Sequence, residues 1–484
     1  MLKFTVIAIS VIQVAIGLTS AQTTRSLENI GFDSNQLHEI MVEGQDAYDL
    51  PSLQVAVVID STIVFSDATG YARFSDSLKA TPETVYRAGS VTKPITATML
   101  VKLAEEGIVR LDDPVEKYLP EYKPQSQFPG TAPTTLRQLA THQSGLPRSS
   151  PQEFLIDLAT YSYYVEGVKS ANLAEMTRES LMKSLPRLKL EYPPYSPYGH
   201  YSNLGYRILG LAIERASGED FASYVNKNIF IPLGMTRSGF DPDIYTDGEL
   251  AEGYVYTDSN AAPKAALVTN PGASIFSGGM YSTAEDLCRF LSLQFQTNPP
   301  GGKQIISSEG LRMMQWTAMD WGFSYAPDYP ALEHGGSVPG FNAHVIIIPG
   351  LKLGIAVLSN RSDILTEQTP AKDIAWQIAR QLKPIVADLM TAADKSPVIS
   401  ERGYIGKYVL GDNLASIEIS KDGDSLYAEI PGTNMTRVSL YECAPLRLCS
   451  SGDRQDILEM DFDRIQGNRP IRLSVGEYHF MRME

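Results

Sequence analysis

A chain of 484 residues is too long for one small core, and at roughly 150 residues per domain it calls for two or three units. Hydrophobic residues make up 43% and charged residues 20%, the balance of a globular protein and not of a disordered or fibrous one. A formal charge of −15, with no clustered Lys/Arg face, excludes a nucleic-acid-binding surface.

The chain opens with Lys3, an apolar run from Phe4 to Gly17, and the small residues Thr19, Ser20 and Ala21, the layout of a secretory signal cleaved after Ala21. The run is shorter than the ~20 residues that span a bilayer, so a secreted or extracytoplasmic protein with no membrane span after cleavage is expected, with a signal anchor as the alternative. Leu53 to Asp60 and Thr62 to Asp67 read as a strand pair, followed by a polar connection from Tyr71 to Thr84. Next comes Ser90-Val-Thr-Lys93 at the start of an apolar-periodic helix that ends at Gly107. Residues three apart share a helix face, so the Ser90 hydroxyl and the Lys93 amine can be neighbours. A buried Lys at a positive helix terminus can lose its proton and serve as the base that a Ser nucleophile needs. The bland alternative is a helix-starting Ser with a solvated Lys.

Thr135 to His142 reads as a short helix, and Asp157 to about Leu190 as a mostly helical, Tyr-rich insertion. Three prolines between Glu191 and His200 forbid regular structure before Tyr201-Ser202-Asn203 opens another helix, Leu204 to Ser217. Ser282 or Thr283 can cap a further helix. Gly335, Gly336 and Gly340 frame a turn ahead of a hairpin, Phe341 to Pro349 with Leu353 to Leu358, and a long helix covers Ala371 to Met390. Strand pairs at both ends with helices between them give an α+β fold. A small, polar linker at 391–400 separates residues 22–390 from a second, all-β domain at 401–484, with strands expected at Ala415 to Ser420, Ser425 to Ile430, Asp456 to Phe462 and Ile471 to Met483. Cys443 and Cys449 are close enough in sequence to staple a hairpin or to stay unpaired, and Cys288 reads as a buried free thiol. Asn360-Arg-Ser and Asn434-Met-Thr are glycosylation sequons, meaningful in a eukaryotic host. The His residues show no metal-ligand spacing and the Gly-rich stretches no nucleotide loop, so no metal and no cofactor is expected.

Taken together, these pieces resemble the serine β-lactamase and penicillin-binding-protein superfamily, in particular its class C-like esterase, D-peptidase and transacylase branch. Ser90-Val-Thr-Lys93 stands as the Ser-x-x-Lys element, Tyr201-Ser202-Asn203 as a Tyr-x-Asn form of the second motif, and His334-Gly335-Gly336 as a His-x-Gly form of the third. Leu136 to Leu139, Thr141 to Pro147 and Pro232 to Met235 agree with it, over roughly residues 35 to 385. The resemblance implies an antiparallel sheet flanked by helices, an all-helical subdomain, and a C-terminal lipocalin-like β-barrel.

It also implies roles. Ser90 would be the nucleophile, Lys93 its base, Tyr201 a shared acid/base, and Asn203 a holder of Lys93 and of a substrate amide. The backbone N–H groups of Ser90 and Ser337 would form the oxyanion hole, with Gly335 and Gly336 lining the substrate. His334 stands where penicillin-directed enzymes carry Lys, and Gly335 where they carry Thr; both changes remove a grip on a substrate carboxylate. The expected substrate is therefore a small-molecule or peptide-like ester or amide, with His334 assisting protonation. A D-stereospecific aminopeptidase or weak β-lactamase is a second reading, and a catalytically silent binding protein a third.

Overall fold

The computed structural model describes residues 32–168, 176–194, 199–257, 262–267, 271–295, 304–317, 319–326, 329–363 and 369–393, and after these a series of strands between residues 404 and 482. The expected signal peptide and the Asn434 sequon lie outside the described residues, as does most of the expected linker.

The core of the molecule is a seven-stranded antiparallel sheet. Its strands are β1 (Ser52–Ile59), β2 (Thr62–Arg73), β3 (Leu78–Lys79), β8 (Gly322–Ala326), β9 (Tyr329–Val338), β10 (Phe341–Ile348) and β11 (Leu353–Ser359), in the order β3-β2-β1-β11-β10-β9-β8. The N-terminal pair thus meets the C-terminal hairpin through β1 and β11, with Ala56 opposite Ala356. Every residue of β1 from Ser52 to Val58 is buried, because helices cover both faces of the sheet. Leu53, Val55 and Val57 face a cluster with α1 (Ser34–Ala47) and α11 (Pro370–Ala393), while Ala56 and Val58 face the larger cluster on the other side, which holds α2 (Thr92–Glu105) and α9 (Ala284–Leu293). Alternation along one strand therefore serves two cores.

Between the two halves of the sheet, the chain builds the helical region: α3 (Leu136–Ala140), α4 (Pro151–Tyr161), α5 (Arg178–Ser184), α6 (Asn203–Ser217), α7 (Phe221–Val225) and α8 (Ile231–Leu233), with α10 (Ser308–Trp316) following α9. The short β4 (Tyr86–Arg87) pairs with β7 (Tyr281–Ser282), and β5 (Tyr254–Tyr256) lies between β6 (Lys264–Ala265) and β12 (Arg361–Asp363). Local chemistry explains the short α3: the Thr135 hydroxyl accepts from Gln138 N while the Gln138 side chain accepts from Thr135 N, a reciprocal cap on only five residues. Past α11, the strands β13 (Gly406–Leu410), β14 (Ala415–Asp422), β15 (Ser425–Glu429), β16 (Val438–Ala444), β17 (Arg447–Ser450), β18 (Glu459–Gln466), β19 (Arg469–Val475) and β20 (Tyr478–Arg482) pair in chain order and close, β20 returning to β13. Among the described residues no helix is long and apolar enough to cross a membrane.

Several sequence expectations change. The helical insertion starts at Pro151, capped by Ser150, and not at Asp157. β2 runs on to Arg73, into the expected polar connection. Gly335 and Gly336 are not a turn: they sit inside β9, opposite His344 and Ala343. The turn proper is Pro339-Gly340, where Gly340 has φ +85°. The long helix overruns Met390 and ends at Ala393. Asn360 is not a glycan acceptor in this fold: it is fully buried, its amide donating to the carbonyls of Tyr71, Ala72 and Glu252 and accepting from Ser52 Oγ at 2.7 Å. A glycan on that nitrogen would leave no room for these contacts. Cys449 stands opposite Tyr441, and Cys443 lies in the irregular step between Glu442 and Ala444; their side chains lie outside the described residues. Cys288 is a buried free thiol, its ionisation pushed far up by burial.

Candidate active site

The Ser90 segment is a 3₁₀ turn, Gly89–Val91, that feeds directly into α2. Gly89 has φ +53°, and a Cβ there would come within 2.9 Å of Ser337 N, so the turn needs glycine for both backbone conformation and clearance. Thr92 pins it by donating to Gly89 O at 2.7 Å and accepting from Met280 N at 3.1 Å. Because α2 is packed nearly all round, Lys93 has no route to water and is 0% exposed. Its Nζ lies 2.9 Å from Ser90 Oγ and donates to Ser277 O at 2.7 Å. Burial is the main cause that brings its pKa down to about 7; the charge of Asp320 works against the shift, and Arg207 and Arg148 work with it. Near neutrality a large share of Lys93 therefore carries a lone pair aimed at a serine hydroxyl.

Tyr201 reaches the same serine. Ser202 caps α6 by accepting from Gly205 N at 2.9 Å, which leaves Tyr201 just outside the helix with its hydroxyl hydrogen-bonded to Ser90. Burial and the Asp320 charge push its ionisation well above the ordinary range, so it is held as a phenol, a proton donor. Lys93 Nζ sits 4.8 Å from the centre of its ring, and the Arg148 guanidinium covers the ring at 5.1 Å. Of the two contacts expected of Asn203, the one to Lys93 is not made. Among the described residues Asn203 makes no hydrogen bond to Lys93, whose partners are Ser90 and Ser277.

The third side of the site is β9. β8 pairs with it only as far as Glu333, so His334 to Val338 has no strand partner on that edge and meets the 3₁₀ turn instead. A Cβ on Gly336 would stand 2.0 Å from Ala88 O and 3.1 Å from Ser90 N. The backbones of Ser90 and Ser337 thus approach each other across two glycines. Behind them, Glu333 anchors β9 to α11 and β10 by accepting from Lys372 Nζ at 2.9 Å and Trp376 Nε1 at 2.6 Å and pairing with His344 Nε2 at 3.0 Å. These partners outweigh burial and hold its carboxyl down at about 2.

The residue that sequence reasoning missed is Asp320. It is buried and bridges two arms of the site: Oδ1 lies 2.6 Å from His142 Nε2 and Oδ2 lies 2.9 Å from His334 Nε2. His142 Nδ1 accepts from Ser202 N at 3.1 Å, so its proton must be on Nε2, facing the carboxylate. Its ring also lies 4.5 Å from that of Tyr201. His334 Nδ1 lies 2.7 Å from Gly335 O, and its Nε2 faces Asp320. Burial opposes ionisation of Asp320, but the two histidines overcome it and set its pKa to about 2. Both Asp320, at φ +61°, and His142, at φ +58°, adopt the left-handed conformation that non-glycine residues avoid. Strain of this kind persists where packing over-determines it, and it gathers at functional sites. His142 lay within the Thr141 to Pro147 phrase without a role attached; Asp320 had no local signature at all.

Asp320→Asn is expected to keep the fold while uncoupling His334. Its charge also raises the Lys93 pKa. The acidic limb of the kcat/KM profile should therefore move below about pH 7 in the variant, with kcat falling about tenfold or more; an unshifted limb would limit Asp320 to packing.

A cavity of about 850 Å³ lined by Arg178, Asp220, Phe240 and Ile275 contains none of these groups. Among the described residues no cluster of His, Cys, Asp and Glu is arranged to hold a metal.

Comparison with known proteins bears on the family and the fold. The sequence model of the family described as Beta-lactamase matches residues 37–380. Beta-lactamase-like protein 2 of Dictyostelium discoideum is 28% identical over 404 residues, which is 80% of this chain and 68% of that protein. The octameric penicillin-binding protein homologue from Pyrococcus abyssi superposes with a TM-score of 0.60 at 25% identity, covering 93% of this chain and 100% of that one. EstCE1, a hydrolase with promiscuous acyltransferase activity, superposes with a TM-score of 0.56 at 21% identity over 72% of this chain and 99% of its own.

Proposed function

The chain belongs to the beta-lactamase family, and from the geometry around Ser90 we propose that it is a serine hydrolase that forms an acyl-enzyme on an ester or peptide-like amide. The observation that carries this reading is the buried Lys93 amine 2.9 Å from Ser90 Oγ with its pKa drawn to about 7. The neutral amine takes the hydroxyl proton as Ser90 attacks the carbonyl carbon, and the negative charge that develops on the carbonyl oxygen is met by the N–H groups of Ser90 and Ser337. Tyr201, held as a phenol and bonded to Ser90, passes a proton to the leaving oxygen or nitrogen and is reprotonated from Lys93. Water then enters, the same groups run in reverse, and the acid is released. An alcohol or amine in place of water would give transfer, the acyltransferase activity that EstCE1 has beside hydrolysis.

His334 and Gly335 favour esters over penicillins. His334 is already paired to Asp320 and hydrogen-bonded to its neighbour's carbonyl, which leaves it less free than a Lys to grip a substrate carboxylate. The signal-like residues 1–21 and the eight-stranded barrel, which we read as an appended lipocalin-like domain, fit a secreted enzyme. The test is a panel at pH 8 of p-nitrophenyl esters, D-aminoacyl p-nitroanilides and a chromogenic cephalosporin. The esters are expected to turn over with kcat/KM at least about tenfold above the other two. A preference for D-aminoacyl amides or the cephalosporin would move the assignment to peptidase or β-lactamase, and no turnover by folded protein would move it to a binding protein.

A further inference from the structure

Arg87, three residues before Ser90, is only 7% exposed, yet among the described residues no carboxylate pairs with it. Its Nε is buried without a hydrogen-bond partner, and its guanidinium stands over the ring of Tyr281, with Arg87 Cζ 5.8 Å from the ring centre. A guanidinium cannot shed its proton to escape burial, so an uncompensated buried Arg is costly and is ordinarily matched by an acid. Here the acids nearby are already engaged. Arg73 takes Asp76 through two nitrogens and Asp247 at 2.8 Å, and Glu252 accepts from the Tyr254 hydroxyl.

Arg87 lines a cavity of about 290 Å³ with Tyr281, Phe341 and Leu267 on its apolar side, and with Arg73, Asp247 and Glu252, whose charges are engaged as above, on its polar side. It lies apart from the Ser90–Lys93–Tyr201 cluster, between the β4–β7 pair and the segment around residues 245–253. A buried cation beside an aromatic and aliphatic wall is the complement of an amphipathic anion: the carboxylate meets the guanidinium fork and the hydrocarbon meets the rings. We propose that this cavity is a binding site for a small organic carboxylate with an apolar body, held through Arg87. The apolar walls argue against inorganic phosphate, which would leave them facing an unsolvated anion with nothing to bury.

The site is tested by titration calorimetry of the full chain with benzoate, with benzamide as its uncharged counterpart of nearly the same shape, and with inorganic phosphate. Benzoate is expected to bind once per chain, about tenfold or more tighter than benzamide or phosphate, and to do so equally well in Ser90→Ala, which separates this site from the catalytic serine. Arg87→Gln should weaken benzoate about tenfold or more. Leu267, 37% exposed at the cavity wall, gives a variant that leaves the core intact: Leu267→Glu offers Arg87 an internal carboxylate and should weaken benzoate as well. Equal affinity for benzoate and benzamide would overturn the proposal, as would undetectable benzoate binding at millimolar concentration, tighter phosphate binding, or full benzoate affinity in Leu267→Glu.

Discussion

Lys93→Met is expected to lower kcat by about 10³–10⁴-fold while making the protein harder to unfold. The kinetic half follows from the 2.9 Å contact with Ser90 Oγ and the absence of any other described base hydrogen-bonded to that hydroxyl apart from the phenol of Tyr201. The stability half follows from linkage. Lys93 has a folded pKa of about 7 against an ordinary 10.5, so between these values the unfolded chain binds a proton that the folded chain lacks. Wild-type stability contributed by this group therefore rises with pH through that window and is lowest below about pH 7, where the amine is charged and buried. Met fills a similar volume without that penalty, so the gain in Tm should be largest at pH 6 and fade toward pH 10. Equal kcat would remove Lys93 from the mechanism; a loss of stability at pH 6 would show that its bond to Ser277 O outweighs its desolvation. In the wild type, kcat/KM should rise with pH through about 7 as the amine loses its proton.

Gly336→Ala should cost about 10²–10³-fold in kcat, the worth of a misplaced oxyanion donor. The added Cβ would lie 2.0 Å from Ala88 O and 3.1 Å from Ser90 N, and both are backbone atoms of a tightly held turn. No rotamer relieves that contact, so β9 and the turn must separate, taking Ser337 N away from Ser90 N. Gly335→Ala is the control. Its Cβ would meet His344 Nδ1 at 3.3 Å and no backbone atom closer than 3.9 Å, and it should fold with a far smaller loss. Comparable kcat in the two variants would place the oxyanion donors elsewhere.

What could be read along the chain was what local rules decide. Ser90 and Lys93 lie one helical turn apart, and the Thr135 cap on α3 is written in four consecutive residues. The juxtaposition of Ser90, Lys93 and Tyr201 was legible because each motif carries its own chemistry. β9 was not, since Tyr329-Pro330 and Gly335-Gly336 carry no strand signature; it is a strand because β10 pairs with it from Val338 to Leu332. Asp320 joins His142 and His334 only after three distant segments have packed, so nothing near residue 320 announces it. The same distance misled in the other direction at Asn360, whose sequon is local and whose burial comes from residues 52, 71, 72 and 252. At Asn203 the motif placed the residue at the start of α6, but the fold directs Lys93 to the Ser277 carbonyl instead.

The central claim is that Ser90 carries the acyl group. Wild-type protein treated with a fluorophosphonate at pH 8 and digested for peptide mass spectrometry should carry one adduct, on Ser90, and Ser90→Ala should carry none. An adduct on another residue, or equal labelling of Ser90→Ala, would contradict the account.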